Sequence, residues 1–265
     1  MGIITVMTKR SSLEIFKSVV IALFLREVQT RFGTKKLGYF WAVFDAMFMV
    51  MIFAGLKSLI SSKSMPGLDY PVFLATSFLA FFLWKKIVTQ SMSAFSANKA
   101  LFAYKQVKPF DTIVTRVMLE ILVSSVATVI FVGIGLYLNL DLSVKNFNMV
   151  MLAVLWLCLF GFGIGLMNAV FAYFYEFYAK VFSIIMTPLL WISALMYTVD
   201  SLPPLARKII LYNPLTHFME MIHGYYFHSL NTYYVDYEYM VYWTLIPLWI
   251  GLFFYIRAEK RILSS

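Results

Sequence analysis

Residues 146–175 read NFNMVMLAVLWLCLFGFGIGLMNAVFAYFY, thirty positions without a Lys, Arg, Asp or Glu. A helix rises ~1.5 Å per residue, so about 20 apolar residues cross a hydrocarbon layer ~30 Å thick. This run is long enough to cross, and it has no charged face to turn toward water. Five further runs share its character: 37–56, interrupted only by Asp45; 70–93, running past Lys85 and Lys86; 117–140, with Glu120 near its start; 181–199; and 239–256. Hydrophobic residues make up 62% of the 265 and charged residues 13%, against ~45–50% and ~25% in a soluble domain. Too few charges remain for a polar shell, which excludes an ordinary soluble domain, and the apolar content excludes a disordered chain. The expected fold is an all-α polytopic membrane protein, one domain over 1–265 with six transmembrane helices.

Two apolar stretches, 18–25 within segment 12–32 and 209–219 within segment 203–228, are too short to span. Segment 12–32 repeats Leu13, Phe16, Val20, Leu23 and Phe24 at helical spacing, with Glu14, Lys17, Arg26, Glu27 and Arg31 between them. That pattern predicts an amphipathic helix lying in the membrane interface. Segment 203–228 opens on Pro203-Pro204, contains Asn213 and Pro214, and precedes the last span. It reads as re-entrant, because irregular backbone survives at membrane depth only where protein or water satisfies it. With the N-terminus inside, seventeen Lys and Arg fall in inner segments and five in outer ones. The positive-inside rule then puts both termini in the cytoplasm and 203–228 on the far side. The net charge of +9 is thus a topology signal and needs no nucleic-acid partner. Ile3 and Ile4 precede Lys9 and Arg10, the reverse of a cleavable signal.

The sequence holds no GxxxxGK-Ser/Thr loop, no GxSxG and no HExxH, so nucleotide energy would have to be bound by another chain. A membrane glycosyltransferase or lipid transferase would need clustered acids or a metal site at one membrane face, and neither is visible. His217, Glu220 and His223 stand at i, i+3 and i+6, spread over ~120° of a helix, whereas a zinc helix presents His at i and i+4. With Asn213 and Pro214 they read as a structural polar cluster on the outer side. No catalytic residue and no metal site are assigned. Cys158 stands alone, which excludes an internal disulfide.

The inner loop 98–111 is the most telling. Phe102 and Tyr104 sit among Lys99, Lys105 and Lys108, with Asn98, Leu101 and Asp111 around them. A short amphipathic helix with aromatic anchors and a basic face suits docking into a groove on a cytoplasmic partner. Pro109 breaks the segment ahead of the third span. Taken with Val107, Thr112, Arg116 and Glu120, this run resembles the permease subunit of capsular-polysaccharide ABC exporters of the Kps/Bex type. Arg26-Glu27, Thr30 to Gly33, Leu37 to Tyr39 and Trp41-Ala42 resemble the same family's N-terminal motif. Pro71 to Leu74 and Asn213 to Leu215 with Glu220 match it further. Two positions depart from the pattern. Asp45-Ala46 stands where the family often has Glu-Pro, and His223 stands where the wider family favours Arg, replacing a fixed cation by a titratable one.

The resemblance implies an ABC-2 type fold and a homodimer joined by two ATP-binding cassette subunits, with ATP and Mg held there and no cofactor on this chain. It implies a lipid-linked acidic polysaccharide as substrate, an inner (cytoplasmic) membrane location, and periplasmic and outer-membrane export components. It also makes 98–111 the ATPase-coupling segment. An O-antigen or teichoic-acid exporter of the same fold is the alternative. Lys85 lies fifteen residues past Tyr70, ~22 Å down the helix. With Lys86, Asp45 and the cations Arg26, Arg31, Lys35 and Lys36 it is a candidate to meet an anionic chain or lipid phosphate. Tyr39, Trp41 and Phe44 offer flat faces to sugar rings. The small residues Gly161 and Gly165 would allow close helix approach, within one subunit as the plainer reading or across a dimer of this thin-walled chain.

Overall fold

The structure, a computed structural model, describes residues 11–32, 44, 47–55 and 68–264. Helices account for the regular structure among them. In chain order these are α1 (Ser12–Phe32), α2 (Tyr70–Met92), α3 (Ala94–Asn98), α4 (Pro109–Tyr137), α5 (Phe147–Phe174), α6 (Glu176–Ile192), α7 (Pro204–Ile210), α8 (Pro214–Tyr226) and α9 (Tyr237–Ser264). Residues 44 and 47–55 are helical as well. Among the described residues, α2, α4, α5 and α9 are long and apolar enough to cross a membrane.

The sequence explains where the helices begin. Asn146 accepts a hydrogen bond from the Met149 amide at 3.2 Å and caps α5. Pro109 occupies the first turn of α4, and the Asp111 carboxylate accepts the Lys108 amide at 2.9 Å. Proline is pre-organised for that position, so α4 starts eight residues ahead of the expected span 117–140. In the same way α9 runs on to Ser264, past the apolar limit at 256, because nothing after Ile256 breaks a helix.

The expected span 181–199 ends differently. Helix α6 stops at Ile192, and residues 193–197 bend away, with Ala194 at φ 55°. The cause lies in the next turn of chain. The Asn213 amide donates to the Ile192 carbonyl at 3.1 Å and to Ser193 Oγ at 2.9 Å, and Thr216 Oγ1 donates to the same carbonyl at 3.2 Å. These side chains take acceptors that another helical turn would have used. α6 therefore has 17 residues and is about 26 Å long.

Helix α2 runs through the middle, packed against α4, α5 and α8. Phe73, Phe78, Phe81 and Trp84 are buried along it and meet Phe160 and Phe218, the last two stacked at 5.0 Å. The small residues of α5 make this packing possible. A Cβ on Gly161 would meet Trp84 and Ile87, one on Gly165 would meet Ser91 at 2.8 Å, and one on Gly163 would lie 2.9 Å from the Leu248 amide nitrogen of α9. The close approach these glycines allow is thus made within the chain, against α2 and α9, the plainer of the two readings. By contrast α6 buries only Met186 and leaves Phe177, Ile184 and Trp191 exposed.

Candidate coupling site

The segment 98–111 is not one amphipathic helix. It joins the end of α3 to a 3-10 turn over Lys99–Ala103 and a second turn over 104–106, closed by the Val107 amide on the Tyr104 carbonyl at 2.9 Å, ahead of Lys108. Its two aromatics part company. Phe102 is buried with Phe95, Ile113, Tyr255 and Ile262 in a core between α3, α4, α5 and α9. Tyr104 is 65% exposed and shares the open surface with Lys99, Lys105 and Lys108, while Leu101 is half-buried. Phe102 therefore anchors the turn to its own bundle, and Tyr104 with the lysines faces outward. Nearby, Arg261 lies 4.8 Å from the Phe174 ring centroid and Arg257 lies 3.9 Å from that of Phe253.

Asn98 connects this turn to α1. Its side-chain amide donates to the Ala94 carbonyl at 2.9 Å, and its oxygen accepts from Arg26 at 2.7 Å. Two ion pairs continue the junction. Arg116 of α4 reaches Glu27 at 3.2 Å, and Arg31 pairs with Glu120. Arg116 also donates to the Gln90 carbonyl at 2.5 Å and to Ser93 Oγ at 2.6 Å, at the end of α2. Between the ion pairs, Phe24 and Val28 of α1 pack on Leu119 and Val123. Arg26 and Arg31, read from sequence as candidates for the substrate path, here hold protein partners.

Sequence reasoning assigned Glu27 and Arg116 no role in a site. A signal was present: Glu27 and Arg31 are four residues apart, as are Arg116 and Glu120, in opposite charge order. Side chains at that spacing share one helix face, so two such pairs on parallel helices match each other.

The remaining pathway candidates are spread out. Lys85 is half-buried with its ammonium 5.7 Å from the Phe82 ring centroid. Lys86 lines a cleft that also contains Glu120. Phe44 stacks on Phe48 at 5.2 Å. Lys35, Lys36, Tyr39, Trp41 and Asp45 lie outside the described residues.

A second polar cluster sits at the opposite end of α2, around α8. Pro214 starts α8, and the Asn213 side chain caps it by accepting the Leu215 amide at 3.1 Å. Ser77 donates its hydroxyl proton to the Phe73 carbonyl at 2.7 Å. The 2.8 Å contact between Ser77 Oγ and His223 Nε2 is then a bond donated by the imidazole. Nδ1 of His223 lies 3.9 Å from Glu220, whose Oε1 accepts the Val199 amide at 3.3 Å. The order Ser, His, Glu looks like a hydrolytic triad, but the serine proton points away from the imidazole and all three residues are buried. His217 uses both ring nitrogens: Nε2 faces the Leu211 carbonyl at 2.8 Å and Nδ1 accepts the Asp236 amide at 3.1 Å. A metal would have to displace one of these bonds. Beyond this cluster, Tyr234 donates to Asp200 at 2.8 Å, which raises its phenol pKa, and Asp141 is held low by the Ser143 hydroxyl.

A helical bundle with spanning helices, an N-terminal helix fastened beside a basic turn, and two short helices ahead of the last span, the second of them buried, suits a transporter's membrane domain. The chain belongs to the ABC-2 type transporter family, whose model matches residues 18–227. It is 34% identical over 97% of its length to the polysialic acid transport protein KpsM of Escherichia coli, covering 99% of that protein. It is 28% identical to the capsule polysaccharide export inner-membrane protein BexB of Haemophilus influenzae, over 85% of this chain and 86% of that one. The corresponding protein CtrC of Neisseria meningitidis serogroup A is 27% identical over 95% of each chain.

Proposed function

We propose that this chain is the membrane-spanning subunit of an ATP-driven exporter that moves lipid-linked capsular polysaccharide across the inner membrane. The observation that carries this reading is the near full-length match to proteins named for capsule polysaccharide export. Two copies would form the conduit, and two ATP-binding cassette subunits, holding ATP and Mg, would drive it. The six-span topology with both termini in the cytoplasm stands on the basic-residue distribution.

The coupling turn fits the ATPase contact. Tyr104, Lys99, Lys105 and Lys108 offer an aromatic and a basic rim to a partner groove, and Phe102 ties the turn to four helices. A push on the turn would pass through Asn98 and Arg26 to α1, and through the start of α4 to Arg116 and Glu27. Lys85 and Lys86 remain the candidates to attract an anionic polymer or its lipid phosphate.

The test is co-purification with the ATPase encoded beside it, in vesicles carrying lipid-linked glycan. Hydrolysis should depend on this chain and respond to the glycan, and Tyr104→Ala with Lys105→Glu should uncouple the two. A chain that purifies alone and modifies glycan without nucleotide would overturn the reading.

A further inference from the structure

Between α2 and α4 lies a narrow, partly open cleft of ≈ 20 Å³, room for one group the size of a water or an ammonium. Leu79, Phe82 and Leu83 wall it, and Lys86, Glu120 and Ser124 supply its polar groups. Glu120 is 1% exposed. One carboxylate oxygen, Oε1, pairs with Arg31, while Oε2 is buried and has no hydrogen-bond partner among the described residues. Lys86 lines the same cleft without bonding to Oε2. A buried carboxylate oxygen without a donor among the described residues is costly, so this position suits an N–H or O–H from a bound group.

What can reach the opening is set by its surroundings. Met118, Leu122 and Val126, on the outward face of α4, are 46%, 48% and 49% exposed. On a membrane-crossing helix such a face meets acyl chains. Arg116 and α1 mark the headgroup end of the cleft. The ligand is therefore an amphiphile of the leaflet that α1 borders: the small cationic tip of its head enters the cleft, and its tails lie against α4.

We propose that this cleft binds the headgroup of an aminophospholipid, with the primary ammonium of phosphatidylethanolamine donating to Glu120 Oε2. A primary ammonium carries three donors and the trimethylammonium of phosphatidylcholine carries none, so the site discriminates between two headgroups of equal charge. Through the shared carboxylate the bound lipid touches the Arg31 fastening of α1. The inference rests on α4 crossing the membrane, and not on the identity of any exported molecule.

The test is lipid retention by the full chain in nanodiscs of phosphatidylglycerol doped with phosphatidylethanolamine or with phosphatidylcholine of identical acyl chains, read by native mass spectrometry after detergent washing. A charge-assisted hydrogen bond of ~1.5–3 kcal/mol gives a preference of about tenfold or more for phosphatidylethanolamine. Glu120→Gln should lose that preference. Ser124→Leu should lose it too, by filling the cleft while the Arg31 pair stays in place, and this variant decides the matter if Glu120→Gln does not fold. Ser125→Leu, on the exposed side of α4, should keep it. Equal retention of the two lipids by the unaltered chain, or a preference that survives Ser124→Leu and so arises elsewhere on the surface, would overturn the proposal.

Discussion

At one end of the bundle, α1 is fastened by two guanidinium–carboxylate pairs and one guanidinium–amide bond. At the other end, α8 is fastened by an asparagine, a threonine, a serine and two histidines, with Glu220 the one carboxylate among them. The first set is partly exposed: Arg31 has 28% of its side chain open and Glu27 18%. The second is buried almost throughout. A charged, partly wet junction holds through long-range attraction that salt and approaching charges alter. A buried neutral junction holds through directional bonds that break only when the pieces separate. The contrast suits a driven end and a fixed end.

Four changes would break or sharpen that contrast. The largest effect is expected from Arg116→Ala, which strands Glu27 and removes the donors to Gln90 and Ser93. Breaking such a largely buried pair costs about 3 kcal/mol, visible as a lowered thermal inactivation midpoint in detergent. Asn213→Ala comes next. It uncaps α6 and α8 together at about 1–2 kcal/mol, and its cost should be the same at low and high salt. If that cost falls as salt rises, the two ends are not different in kind. Exchanging the charges, Glu27→Arg with Arg116→Glu, should recover about 1 kcal/mol over Arg116→Glu alone in a double-mutant cycle. The smallest effect is that of salt on the unaltered chain. Going from 0.05 to 1 M should speed amide exchange in α1 and leave α8 unchanged, because screening shortens to ~3 Å.

The sequence carried the helical class clearly. Uncharged runs such as 146–175 became α5 almost residue for residue, capped at Asn146 as its side chain allows. The chemistry that closes the structure was far less visible. Arg31 and Glu120 are 89 positions apart and Arg26 and Asn98 are 72 apart, so composition saw only inner charges and one costly intramembrane acid. The stop of α6 at Ile192 was hidden for the same reason, since the residues from 193 to 199 are as apolar as a helix needs and the stop comes from Asn213. The glycines were legible as a small face for packing within the subunit, but which helices they meet, α2 and α9, depended on how the chain folds back. In the coupling turn, residue types announced a docking motif, yet only packing separates Phe102, turned inward, from Tyr104, turned out.

The double role of Asn213 has a consequence for biosynthesis. The end of α6 leaves the ribosome 21 residues before the side chain that completes it. At about 5–20 residues per second, its terminal carbonyl waits roughly one to four seconds in the insertion machinery without its final partner. A substitution at position 213 should thus be felt first as slow or faulty integration of the nascent chain, before any finished exporter exists to be assayed.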